Sequence, residues 1–235
     1  MDNMKIIVIG DTHGREIWKQ IVSSNTFDKI VFIGDYFDTH ENVSSAQQIH
    51  NFKEIIEYKR QNIDKVVLLF GNHDFHYLRN IDEQYSGFQE WHKFDIQEQL
   101  HNALDSNLMQ MCFVHESYLC SHAGISKTWL KSTGYTGEEP IELFINDLFK
   151  YQPLAFKFTV GKNFDMYGDD ITQTPIWIRP KSLFMDMIGN YIQIVGHTTQ
   201  ERIKQIDNKL VLIDTLGTSK QFILIENENL NIIQI

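Results

Sequence analysis

Three short apolar runs punctuate the first third of the chain. Residues 6–9 end at Gly10, residues 30–33 at Gly34, and residues 66–70 at Gly71. A continuous apolar run of this length predicts a strand buried on both faces. Between the runs the period changes. Residues 15–23 carry Ile17, Trp18, Ile21 and Val22 at helical spacing. Residues 44–60 place Ile49, Phe52, Ile56 and Tyr58 near one face, with Ser44 or Ser45 as N-cap. Strand and helix alternate, which predicts parallel strands joined by helices.

Beyond residue 80 the pattern changes. Residues 80–107 are polar and aromatic-rich and read as helical, and 138–150 read as another helix. Residues 109–114 and 118–121 read as a hairpin about His115-Glu116-Ser117. Residues 153–180 have weak periodicity and several Gly, Asp and Pro, and read as irregular cap or loop. Strands return at 191–195, 202–206, 210–213 and 222–225, with a hairpin turn at Asp207-Asn208-Lys209. With no internal repeat and no Pro/Gly/Ser linker, the simplest organisation is one domain over 1–235, with cap insertions at about 80–107 and 126–190. Phe88, Trp91 and Phe94 have near-helical spacing and are expected to pack in the cap's core.

At 235 residues, 42% hydrophobic and 22% charged, the chain has the composition of a globular protein with a large core. Its net charge of −10 argues against general binding of nucleic acid or an anionic membrane. The same charge suits a site that gathers carboxylates around cations. Two cysteines, Cys112 and Cys120, make neither a disulfide framework nor a thiolate zinc site, and read as small buried side chains. The first apolar run is broken at Gly10-Asp11, too early for a signal peptide, and no stretch reaches membrane-spanning length. The expectation is a soluble cytoplasmic protein without a membrane partner.

The chemistry is concentrated where apolar strands end. Gly10-Asp11-Thr12-His13-Gly14, Gly34-Asp35-Tyr36-Phe37-Asp38, Gly71-Asn72-His73-Asp74, Ser121-His122-Ala123-Gly124 and Gly196-His197-Thr198-Thr199 each follow a predicted strand. Ligands of open α/β sheets sit at the carboxyl ends of the strands, so five strands deliver Asp, His and Asn to one edge. Carboxylate, amide oxygen and imidazole without thiolate suit manganese, iron or zinc rather than copper or an iron–sulfur centre; calcium prefers oxygen alone.

These five motifs, in this order, resemble those of the calcineurin-like metallophosphoesterases, in the branch of phosphoprotein phosphatases and symmetrical diadenosine tetraphosphatases. The resemblance runs from residue 11 to about 217 and implies a four-layer α/β/β/α sandwich with two central mixed sheets and an inserted cap. It implies two divalent metal ions, with Mn2+ the first choice and Fe or Zn as alternatives. Asp11 and His13 match ligands of one metal, Asp35 the bridging carboxylate, and Asn72, His122 and His197 ligands of the other. His73 matches the histidine that protonates the leaving oxygen, Asp38 the acid that orients it, and Arg179 a phosphate-clamping arginine.

The implied function is hydrolysis of phosphate esters by attack of a metal-bound hydroxide. The leading substrate class is a phosphomonoester, on a protein or small molecule, with a dinucleoside polyphosphate or other nucleotide as the alternative. A non-catalytic scaffold would be marked by lost ligands, and the set is complete here. One departure stands out. The family's second motif continues with arginine after the aspartate, whereas Asp38 is followed by Thr39-His40-Glu41. His40, His76 and Arg79 are candidates for a partial replacement. Asp214 is expected to support the ligands from behind, and His50, His92, His101 and His115 to be solvated or structural.

Overall fold

The computed structural model describes residues 4–39, 41–162 and 164–235. His40 lies outside the described residues, so its candidacy has no structural counterpart. The elements run β1 (Ile6–Ile9), α1 (Ile17–Ser24), β2 (Lys29–Phe32), α2 (Ser45–Gln61), β3 (Val66–Leu69), α3 (Asn72–Phe75), α4 (Lys93–Asp105), β4 (Met109–Gln110), β5 (Cys112–His115) and β6 (Tyr118–Ser121). Then follow α5 (Lys127–Ser132), α6 (Ile141–Tyr151), α7 (Pro180–Met185), β7 (Ile192–Val195), β8 (Lys204–Ile206), β9 (Leu210–Leu212), β10 (Gln221–Glu226) and β11 (Asn229–Gln234).

Two mixed sheets form the centre. One has the order β11-β10-β1-β2-β3-β4 and the other β5-β6-β7-β9-β8. The strand alternation explains the layers. Ile6 and Val8 of β1, with Val31 and Val67, meet Cys120, Ile194 and Val211 in the core between the sheets. Ile7, Ile9, Phe32 and Leu68 point the other way, onto Trp18, Ile21, Phe52 and Ile55 of α1 and α2. On the second sheet, Leu210 and Leu212 pack with Leu183 of α7. Strands covered on both faces need apolar side chains at every position, which is why β1 to β3 read as unbroken runs. Helix α2 begins as expected, with a full capping box between Ser44 and Gln47.

The predicted strand at 109–114 is two strands. Met109–Gln110 pairs with β3 in the first sheet, and Cys112–His115 pairs with β6 in the second. The chain changes sheets at Met111, held by Asn146, whose side-chain oxygen accepts from the amides of Met111 and Cys112 at 2.9 and 3.0 Å. Cys112 opposes Ser121 and Cys120 opposes Phe113, so the two thiols join different cores and stay free and buried.

The stretch 80–107 is helical only in its second half, after a 3-10 turn at Glu90–His92. The expected packing of the aromatic group is corrected: Phe88 is packed, but Trp91 is 96% and Phe94 80% exposed. Their spacing fits a helix face, but nothing covers that face among the described residues. Helices α5 and α7 and strand β11 were absent from the periodicity reading.

Candidate metal centre

The five motif loops meet at one edge. His13 donates its amide to Asp35 O (2.8 Å), Gly196 to His122 O (2.8 Å), and His197 to Asp11 Oδ2 (2.9 Å). Asp11, His13, Asp35, Asn72, His122 and His197 come together from residues as far apart as 11 and 197, and Asp11, Asp35, Asn72 and His122 are almost fully buried.

The loops are strained where they carry chemistry. His13, Asp35, Asp38 and His197 have φ of 44°, 52°, 61° and 62°. A non-glycine residue in this left-handed region costs roughly 1–3 kcal/mol and persists only where neighbours over-determine it. Here each of the four backbone amides is held. Besides the His13 and His197 bonds, Asp35 N donates to Asp74 Oδ2 and Asp38 N to Gln48 Oε1, both at 2.9 Å. Asp74 also accepts from Gly71 N (2.9 Å) and Tyr36 N (2.8 Å), so one buried carboxylate ties the second motif loop to the third. Sequence reading missed this role, though an aspartate three residues after Gly71 is a capping-box position.

Two glycines leave room for carboxylates. A Cβ on Gly196 would stand 1.9 Å from Asp11 Oδ1, and one on Gly71 2.1 Å from Asp35 Oδ1.

The histidine tautomers follow from their backbone partners. A neutral imidazole has one N–H, and a ring nitrogen against a carbonyl oxygen must carry it. His13 Nδ1 lies 2.7 Å from Phe37 O, His122 Nδ1 3.0 Å from Ile33 O, and His197 Nε2 3.1 Å from Trp177 O. In the neutral ring the other nitrogen is then a bare lone pair facing inward. His122 Nε2 and His197 Nδ1 lie 3.0 and 2.9 Å from Asn72 Oδ1, and His122 Nε2 is 3.4 Å from Asp35 Oδ2. Burial, then Arg179 and His122, hold His197 well below the usual imidazole range, so its protonation does not relieve the contact. Lone pairs facing lone pairs at this distance repel, and a divalent cation among them reverses the sign. Asp11 Oδ1 is buried without a hydrogen-bond partner, and burial with the charges of Asp214 and Asp35 drives its pKa well above the carboxylate range. A cation beside it removes that penalty as well. The donor set therefore fits bound metal.

Ligand-type atoms of Asp11, Asp35 and His122 lie within 4.8 Å of one another, and so do those of Asp38, His73 and His76. The second group is built differently. Asp38 accepts at Oδ2 from His73 Nδ1 (3.1 Å), with His76 Nε2 2.5 Å away, and at Oδ1 from Tyr77 Oη (2.6 Å) and Gln89 Nε2 (2.9 Å). Burial raises the Asp38 pKa, but bonds from His73 and His76 outweigh it and hold the carboxyl below its ordinary range. For His73 burial pulls down, while Asp35 and then Asp38 pull harder the other way, so its pKa stands above the ordinary value. His76, one of the candidates to replace the missing arginine, is buried behind Asp38.

Arg79 does not reach this edge. Its amide bonds His101 Nε2, and it lines a separate cavity of about 650 Å³ with His101 and Lys150. Arg179 does reach it. Its Nη1 donates to His197 O and Thr198 Oγ1, both at 3.2 Å, and its Nε to Tyr167 O at 2.7 Å. Asp214 accepts from Thr199 Oγ1 at 2.6 Å and so stands behind the His197 loop.

A family model described as calcineurin-like phosphoesterase matches residues 4–200. The chain belongs to this family, and membership implies phosphoester hydrolysis. The fold is shared with a cold-active protein-tyrosine phosphatase of a psychrophilic Shewanella species, at 20% identity and TM-score 0.66, covering 99% of this chain and 78% of that one. It is also shared with a protein serine/threonine phosphatase from Saccharomyces cerevisiae, at 15% identity and TM-score 0.61, covering 99% and 80%. No curated protein sequence matches the chain. No helix among the described residues is long and apolar enough to cross a membrane.

Proposed function

We propose that this protein is a dinuclear metal-dependent phosphomonoesterase. Asp11 and His13 would hold one divalent cation, Asn72, His122 and His197 a second, and Asp35 would stand between them. Manganese is the first choice, because the donors are oxygen and imidazole nitrogen without thiolate. Bound cations would acidify water to a nucleophile near neutral pH and draw charge from the phosphoryl oxygens.

The chain's own groups do the rest. Asp35 Oδ1 accepts the His73 amide at 2.9 Å, which fixes the start of α3 beside the carboxylate. His73 gives its Nδ1 proton to the Asp38 contact and keeps Nε2 for the leaving oxygen. Asp38 selects that tautomer and favours the charged ring, so a proton is available at Nε2. Arg179, fixed on its Nε and Nη1 sides by Tyr167, His197 and Thr198, would bind the phosphate at the edge of the His197 loop. Segments 80–107 and 126–190 would form a cap around the cleft, within a single domain. A phosphorylated protein or small molecule is the expected substrate.

The observation that carries this reading is the contact of Asn72 Oδ1 with two bare imidazole nitrogens beside two buried carboxylates. The test is hydrolysis, with added Mn2+, of p-nitrophenyl phosphate, its bis-ester, a phosphopeptide and diadenosine tetraphosphate. Preference for the two monoesters supports the proposal. Preference for diadenosine tetraphosphate moves it to the nucleotide alternative, and no turnover on any with metal bound refutes it.

A further inference from the structure

We infer that His76 is a positioning residue for the general acid: it locks the Asp38 carboxylate against His73 and joins that pair to the segment following residue 80. The inference rests on the proposed roles of His73 and Asp38.

His76 is buried, with 1% exposure, and makes a contact at each ring nitrogen. The amide of Tyr85 donates to His76 Nδ1 at 3.2 Å. That nitrogen must be the acceptor, so the ring proton sits on Nε2. His76 Nε2 then faces Asp38 Oδ2 at 2.5 Å, a close charge contact without hydrogen-bond alignment. The same tautomer leaves no lone pair on Nε2 for a cation, which distinguishes this cluster from the metal-type group. Asp38 Oδ2 is shared between His73 and His76, while Tyr77 and Gln89 hold Oδ1. With three hydrogen bonds and the His76 contact on two oxygens, the carboxylate plane is fixed, and with it the direction of the His73 ring.

The ring of His76 is itself immobilised. It stacks on Tyr85 at 4.9 Å and 11°, and meets Tyr77 and Phe88 edge-on at 4.4 and 4.9 Å. Tyr85 in turn meets Trp177, which touches His197. Gly87 comes in close: a Cβ there would stand 3.1 Å from Asp38 Cβ. The segment 85–89 is thus part of the acid's support, supplying the Tyr85 amide, the space at Gly87 and the Gln89 side chain.

The test separates the donor from the ring. His76→Phe keeps aromatic packing and loses the donor; His76→Gln loses the ring but can place an amide donor near Nε2. Both are measured with manganese on an alkyl phosphate and on p-nitrophenyl phosphate, alone and in a His73→Ala background. We expect His76→Phe to lower kcat on the alkyl substrate about 10–100-fold, with KM and the p-nitrophenyl rate little changed. His76→Gln should restore part of the alkyl rate. In the His73→Ala background, His76→Phe should cost nothing further on the alkyl substrate, because the two act as one unit. Equal losses on both substrates, or full additivity with His73→Ala, overturn the inference. If His73→Ala shows no leaving-group dependence, the underlying acid assignment fails instead, and the two failures are thereby distinguished.

Discussion

Asn72 Oδ1 sits 2.9 Å from His197 Nδ1 and 3.0 Å from His122 Nε2, while the other nitrogen of each ring faces a backbone carbonyl, so a neutral ring turns a lone pair toward Asn72. An amide oxygen flanked by two lone pairs is unfavourable in an apo protein and favourable around a cation. Much of what this structure predicts follows from that relationship.

Asp35→Asn should deplete metal at both positions, because the carboxylate stands between the two halves of the donor set. Metal content after gel filtration, read beside turnover, decides it. Two tightly held metals with normal turnover would overturn the proposed bridging role of Asp35. Chelation of the unaltered protein should abolish activity, and Mn2+ should restore it.

Removing His73 should leave metal in place and abolish protonation of the leaving group. The expected loss for His73→Ala is on the order of 10²–10⁴-fold on alkyl phosphates and smaller on p-nitrophenyl phosphate, whose leaving group needs little protonation. Equal losses on both substrates would argue against the acid role.

Arg179→Ala should lower kcat/KM roughly 10–200-fold, the equivalent of about 1.5–3 kcal/mol for a charge-assisted contact. Arg179→Lys should recover only part, since lysine has no planar fork. Wild-type kinetics for Arg179→Ala on p-nitrophenyl phosphate and its bis-ester would dismiss the clamp.

Gly196→Ala and Gly71→Ala test the space around the carboxylates. The added Cβ would fall 1.9 Å from Asp11 Oδ1 and 2.1 Å from Asp35 Oδ1, so the carboxylate or the loop must move. Metal affinity should fall in both, measured by titration calorimetry. Gly134→Ala, whose Cβ meets nothing within 4 Å, is a control at a positive-φ glycine and should leave metal affinity unchanged.

Asp74→Ala should destabilise the fold by about 3 kcal/mol or more. It strands three buried amides, of Asp35, Tyr36 and Gly71, and releases the strained second motif loop. Thermal unfolding measures this directly. A melting temperature equal to that of the unaltered protein would show that the loops hold themselves.

Much of this architecture was readable before folding. Strands β1 to β3, covered on both faces, carry unbroken apolar runs, and Ser44 announces its helix through the Gln47 capping box. That the six proposed metal residues would meet was legible because each follows a strand end, and parallel strands place such ends on one edge. Strand β11 was not legible: it is a largely exposed edge strand whose formation depends on pairing with β10, which leaves little hydrophobic signal. The change of sheet at Met111 was hidden for a related reason, since residues 109–114 look alike on either side of it and only the partners differ.

The amino-acid order by itself determined the donor types, their place at strand ends and the alternation that stacks the layers, because burial dictates side-chain chemistry locally. Only the tertiary structure decided which nitrogen of each histidine faces inward, since that depends on carbonyls of Ile33, Phe37 and Trp177 from other parts of the chain. It also left Trp91 and Phe94 in solvent, put Arg79 beside a different cavity, and buried His76 behind Asp38. Periodicity reports that a residue has a face; what covers that face is a contact between distant segments, and it forms only when the chain folds.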